Sequence, residues 1–302
     1  KNLIIIINIM QKIVQKLSDI RVIITVFCVI VSYLTNSIKI DYLVIFGVLT
    51  LGIMHGANDL SLLQNIHFMR TKLQRFLIYT LTVIIFSVTL YNFALYALLL
   101  FVLFSCYHFG EQQWTHSFKN QTHFPQLFYF LYGGFLFSAL FWSHADQTLY
   151  IIKELSDFSV PTYYFKWMTY LFLSLCALFL LVQISATLKL MFDVLFQTAL
   201  LLALFWTNNL IVSFGTYFII WHSWPSMKDQ IQALYNKPDA YSSYIKDALP
   251  YWLISLLGLF LFFICNDSIE LNPLALFFSF LAAITFPHVL VIFGLHQKIK
   301  LS

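Results

Sequence analysis

Nine histidines punctuate the chain, and four of them stand inside apolar runs: His55 in GIMHGANDL, His108 in SCYHFGEQQW, His222 in IIWHSWPSMKDQ and His288 in TFPHVLVIFG. Neutral imidazole is a ligand for iron, zinc, copper or nickel. The other five, His67, His116, His123, His144 and His296, fall in loops or at the ends of apolar runs, where an interfacial or solvated side chain is the ordinary reading. One histidine in an apolar run is more often a helix–helix hydrogen bond than a ligand. Four are harder to account for in that way, because polar groups at membrane depth are costly unless paired and mark functional sites. Asp59 lies four residues after His55, and Glu111 three after His108. Two readings of these carboxylates stand: partners that orient imidazoles on neighbouring helices, or residues near the cytoplasmic interface. Gly56 and Gly110 allow close backbone approach. Pro225 and Pro287 flank His222 and His288 and would interrupt their helices, which is tolerated at depth where the freed backbone lines a protein-enclosed cavity. Tyr107, Phe109, Trp114, Trp221, Trp224 and Phe286 gather around the same motifs, either as the lining of an apolar tunnel or as an interfacial aromatic belt.

The elements that must position these groups follow from composition. Of 302 residues 60% are hydrophobic and only 10% charged, against about 25% charged in a soluble domain. Mean hydropathy is +0.81. These values exclude an ordinary soluble enzyme, a nucleic-acid binder and a disordered chain. They leave an all-α, polytopic transmembrane bundle with membrane lipid as its main solvent. The four cysteines, Cys28, Cys106, Cys176 and Cys265, sit in apolar stretches without paired spacing and read as small buried hydrophobes. Residues 3–10 are apolar, but Gln11, Lys12, Gln15 and Lys16 follow without a small-residue cleavage site. A cleavable signal is therefore not expected, and residues 3–17, within a 1–20 N-terminal segment, are expected as an amphipathic helix on the membrane surface.

A spanning helix needs about 20 mostly apolar residues. About ten candidates (8–10) emerge: 21–38, 42–64, 76–91, 93–113, 124–142, 167–184, 188–206, 209–226, 249–265 and 273–294. The apolar block 76–113 is divided near Tyr91–Asn92, and the polar stretches 143–166 and 227–248 are the main loops. The whole of 1–302 reads as one integral membrane domain. With both termini cytoplasmic, 14 of the 17 basic residues fall on the cytoplasmic side, and only Lys39, Lys153 and Lys166 fall outside; this asymmetry is the positive-inside signature.

The same orientation aligns the histidines. All four lie on even-numbered spans running from outside to inside. His55 is 13 residues after Tyr42, His108 is 15 after Phe93, His222 is 13 after Asn209 and His288 is 15 after Pro273. A two-residue spread is about 3 Å of helix rise. One metal centre held by four histidines between parallel helices is the simplest reading. Cys106, two residues before His108, points to another face. Spacing alone does not select the metal.

The motifs HGANDL, YHFGEQQW, WHSWPSMKDQ and FPHVLVI, in that order, resemble the Brp/Blh family of microbial membrane-bound beta-carotene 15,15'-dioxygenases. The resemblance runs from about residue 50 to 295. It implies an iron(II) enzyme of a bacterial inner membrane that splits the central double bond of beta-carotene with O2, giving two retinal molecules. His55, His108 and His222 match the family's ligand positions. Ser226 stands where relatives often carry a second histidine, and Glu111 where they often carry Asp. The common depth nominates His288, in a PH pair that also recurs in the family, as the fourth ligand. Beta-carotene would enter laterally from the bilayer, bound by apolar burial and positioned so that its central bond meets the metal. No nucleic acid is expected as a partner.

Other classes fit less well. The HxxxH and HxxHH clusters of diiron desaturases do not occur. A haem protein with facing axial histidines and a metal or proton transporter remain as alternatives. A transporter would string polar residues along whole spans, whereas here they gather at one depth. A rhodopsin would need a lysine at mid-membrane, and every lysine falls in a loop or at a span end.

Overall fold

The computed structural model describes residues 19–34, 38–65, 71–118, 124–182, 188–235, 238–264 and 272–301. Every regular element among them is helical. The expected surface helix over 3–17 lies outside the described residues, as do Cys265, His67 and His123.

The helices are α1 (Ile20–Leu34), α2 (Ile38–Gly47), α3 (Asp59–Leu62), α4 (Lys72–Asn92), α5 (Ala94–Phe118), α6 (Pro125–Ser143), α7 (Ala145–Ser156), α8 (Tyr163–Val182), α9 (Leu188–Thr207), α10 (Leu210–Thr216), α11 (Trp224–Leu234), α12 (Ala240–Ile264) and α13 (Pro273–Leu301). Seven are long and apolar enough to cross a membrane, namely α4, α5, α6, α8, α9, α12 and α13. The apolar regions at 21–38, 42–64 and 209–226 instead become shorter or interrupted helices. The break expected near Tyr91–Asn92 falls at Phe93. The two polar stretches read as loops are largely helical: α7 occupies much of 143–166, closing on Asp157 in the left-handed conformation, and α11 with the start of α12 occupies much of 227–248. Short amphipathic helices at a bundle's end carry too little apolar length to register as spans.

Helices α5 and α6 cross backbone to backbone. A Cβ at Gly133 would land on the Cys106 carbonyl, and one at Gly110 on the Tyr129 carbonyl. Small residues permit such contact between membrane helices. Around the crossing, Trp114, Phe118, Phe128 and Tyr132 are sealed inside the bundle, with Phe118 stacked on Phe128 at 4.3 Å. Gly133→Val is expected to destabilise the protein by about 1–3 kcal/mol or more, seen as a lowered melting temperature in detergent.

His144, read from sequence as interfacial or solvated, is buried. Its ring spans from the Leu140 carbonyl, 3.0 Å away, to the Asn208 carbonyl, 2.9 Å away, and so ties the ends of α6 and α9 together. His116 is exposed and faces Asp229.

Helices α4 and α12 are the least embedded. Only Arg75, Phe86 and Leu90 of α4, and Tyr244 and Ala248 of α12, are buried. Between them, floored by α13, runs a cleft.

Candidate metal centre

Two departures from α-helical winding deliver two of the histidines. Past α2, the chain widens into a π-helical segment, Val48–Gly52, and loses helical order over 55–58 before α3. His55 stands in that unwound stretch. Past α10, a second π-helical segment, Tyr217–Ser223, carries His222 and leads into α11. A π-bulge inserts a residue and turns a side chain out of register, and such bulges gather at functional sites. Pro225 follows within the first turn of α11, where a missing N–H is tolerated. His108 sits in α5 and His288 in α13. The α13 helix continues through Pro287, although proline cannot donate to the carbonyl four residues back.

The four imidazoles close into a square. Ring centroids are 5.1 Å apart for His55 and His222, 4.7 Å for His222 and His108, 5.2 Å for His108 and His288, and 4.7 Å for His288 and His55. All four side chains are buried. Ligand nitrogens of His55, His222 and His288 lie within 4.8 Å of one another.

Hydrogen bonding sets which nitrogens face inward. His55 Nδ1 meets the Gly52 carbonyl; a carbonyl only accepts, so Nδ1 carries the proton and Nε2 offers a lone pair. His288 Nδ1 donates to Asp59 Oδ1 at 2.7 Å. The other oxygen of Asp59 accepts the Tyr79 hydroxyl at 3.0 Å. Carboxylate or carbonyl partners of this kind fix tautomer and ring angle in metal-binding histidines. Among the described residues, His55 Nε2, His288 Nε2 and both nitrogens of His222 are buried with no hydrogen-bond partner. Buried polar atoms are rarely left so. Ligand nitrogens on His55, His222 and His288 this close together suit a divalent transition metal, so these three residues fit an ion bound among them, with the His108 ring at the fourth corner of the square.

Behind the square, the His55 carbonyl accepts from Gln230 Nε2 at 2.8 Å. Gln230 also bonds Ser226 at 3.2 Å, so Ser226 faces Gln230. The Tyr244 hydroxyl stands 3.1 Å from Gln230 Oε1 and 3.3 Å from the His55 carbonyl. Asn58 donates to the Tyr244 carbonyl at 3.1 Å. The unwound stretch that bears His55 and leads into Asp59 at the start of α3 is thus held by α11 and α12. Sequence reading missed Tyr79, Gln230 and Tyr244. The available signals were a phenol in the apolar run of α4 and a glutamine eight residues beyond His222.

Of the other expected site residues, Asp59 meets His288 on another helix. Glu111 accepts the Tyr107 hydroxyl at 2.8 Å within α5. Phe109 stacks on His222 at 3.9 Å and 8°, backing the ring. Gly56 is not sterically required, since an added Cβ would touch His288 at an ordinary 3.6 Å.

The aromatic residues expected along a tunnel stand elsewhere. A cavity of about 660 Å³ reaches His55, Asp59 and His288 from the cleft between α4 and α12. Its walls are Tyr79, Val83, Ile254, Phe262, Phe280 and Ile284, among others. Tyr107, Phe109, Trp221, Trp224 and Phe286 are not among its lining residues. Trp221 donates to Thr25 and lies under Arg21, pinning α1. Trp224 lies beside Lys228, and Phe286 stacks on Phe86 at 4.3 Å. Proximity to the histidines in sequence placed these rings on other faces of their helices. Phe76, Tyr91 and Ile254, which do line the cavity, are exposed on the apolar flank, so the cavity opens sideways.

An all-helical, multi-pass membrane architecture with a buried histidine cluster at the end of a laterally open apolar cavity defines the class. The chain belongs to the family described as beta-carotene 15,15'-dioxygenase, whose model matches residues 46–296. No curated protein and no solved structure matches it.

Proposed function

We propose that this protein is an iron(II)-dependent dioxygenase of a bacterial inner membrane. It cleaves the central 15,15' double bond of beta-carotene with O2 to give two molecules of retinal. One carbon–carbon double bond and one oxygen–oxygen bond are lost and two aldehydes form. Both oxygen atoms are consumed, so no external reductant is required. The observation that carries the reading is the closed square of buried imidazoles, with the Nε2 atoms of His55 and His288 unpartnered where the 660 Å³ apolar cavity reaches those two rings.

His55, His108, His222 and His288 would hold the iron, which supplies the one-electron chemistry that lets ground-state O2 react with a closed-shell polyene. The protein's own work is positioning. Asp59 and the Gly52 carbonyl keep two imidazoles in the tautomer that offers Nε2. The cavity walls bind the polyene by apolar burial and set which bond stands beside the centre. Its lateral opening suits a substrate that partitions into lipid. Neighbouring centroids at 4.7–5.2 Å leave no room for a porphyrin between the rings, which favours non-haem iron over a haem protein. The basic-residue asymmetry supports ten spans with both termini cytoplasmic.

The test is expression in cells that make beta-carotene, with chromatography of the products and metal analysis of the purified protein. Retinal as the sole cleavage product and iron in the protein are expected; aldehydes of two unequal lengths would refute central cleavage. Gly258 lines the cavity, and a Cβ there meets open space. Gly258→Trp should therefore fill the cavity without strain. It is expected to lower kcat/KM for beta-carotene on the order of 10–100-fold with iron content unchanged.

A further inference from the structure

A second, smaller cavity of about 200 Å³ lies at one end of the cleft. It differs in character from the first. Lys72 and Arg75 from the first turn of α4 and Lys246 from the second turn of α12 face it, with Asp247 the one acidic residue. Asp247 Oδ2 already accepts the Tyr235 hydroxyl at 2.7 Å. Neither Lys72 nor Lys246 forms an ion pair with a described residue. Ser61 and Gln64 add neutral hydrogen-bonding groups. The pocket therefore presents a surplus of positive charge together with hydrogen-bond donors.

Its position limits what anion it would take. Leu60 and Tyr251 line both this pocket and the large apolar cavity, so a polar compartment adjoins an apolar one along the same cleft. A ligand matching both has a phosphate-bearing head and a hydrocarbon tail. In the orientation proposed above, on which this inference rests, the pocket faces the cytoplasmic leaflet. Anionic lipids are enriched there, and basic pockets between spanning helices on that side recognise their headgroups.

We propose that this pocket binds the phosphodiester headgroup of an anionic phospholipid, held by Lys72 and Lys246 with Arg75 at its base, while an acyl chain lies in the cleft between α4 and α12. The bound lipid would then form part of the cytoplasmic end of the cavity wall.

Native mass spectrometry of the full-length, metal-loaded protein in detergent tests this, with phosphatidylglycerol titrated against phosphatidylcholine of identical chains. The wild type is expected to prefer phosphatidylglycerol. Each lysine near a membrane surface contributes roughly fivefold to anionic-lipid affinity, so Lys72→Ala/Lys246→Ala should lose about 25-fold. Both positions are exposed, and an unchanged melting temperature checks that the variant folds. Equal retention of phosphatidylglycerol by wild type and variant would overturn the proposal. So would full displacement of the lipid by millimolar inorganic phosphate, which would assign the pocket to a soluble anion. The readout is lipid retention in detergent, so its failure is distinct from failure to form retinal or from an inverted topology.

Discussion

A His288→Ala variant is expected to lose retinal formation by more than about 100-fold, beyond the 10–100-fold typical for groups that merely support metal ligands. By the resemblance read from the sequence motifs, His288 is the member of the square whose role is open, because Ser226 stands at the alternative position. Ser226 is turned to Gln230, whereas His288 stands 4.7 Å from His55 and 5.2 Å from His108, with Nε2 unpartnered. Removing its imidazole leaves three rings and an opening toward the cavity that His288 lines. Iron content per protein should fall with activity. A metal that binds only the folded state stabilises it by mass action, about 2.7 kcal/mol at a hundredfold excess over Kd. The rise in melting temperature on adding iron should accordingly vanish in the variant. Full activity in His288→Ala would remove it from the ligand set.

Asp59→Asn is expected to lower iron affinity and turnover by about 10–100-fold with little change in the melting temperature of the metal-free protein. The substitution keeps shape and one acceptor oxygen for His288 Nδ1, but removes the carboxylate that makes the ring a better donor. Asp59 also receives the Tyr79 hydroxyl, and Tyr79 lines the cavity. Tyr79→Phe should thus reproduce a small fraction of the loss. Iron titration followed by calorimetry separates the two outcomes: wild-type affinity in Asp59→Asn would reduce that contact to packing.

Much of the fold was legible because its causes are local. Apolar length and charge placement announce helices that lipid can solvate, and seven of the ten regions form helices long and apolar enough to span. At 42–64 a π-helical segment gives way to unwound backbone at His55, and at 209–226 the winding changes to π over Tyr217–Ser223 before the polar helix α11 takes over. Hydropathy averages over a window and does not register winding. The helices α7 and α11 were hidden for the opposite reason, being too polar or short to resemble spans.

The candidate site divides in the same way. A common depth on four parallel helices depends only on rise per residue, and it nominated the four histidines that the fold gathers. The faces of those helices depend on their rotation and crossing, which spacing along one chain does not contain. So the rings flanking the motifs, Tyr107, Phe109, Trp221, Trp224 and Phe286, pack elsewhere, and the cavity is walled by α4, α12 and α13.

By itself, then, the sequence determined a membrane-embedded helical protein with four deep histidines and a family relationship across most of its length. The tertiary structure alone decided that His288 meets Asp59 across 229 residues of chain, that Gln230 and Tyr244 grip the His55 carbonyl, and where the apolar cavity opens. The reason is physical: hydropathy and rise are properties of single segments, whereas a hydrogen bond or a cavity wall exists only once separate helices fix their mutual rotation through close packing such as that at Gly110 and Gly133.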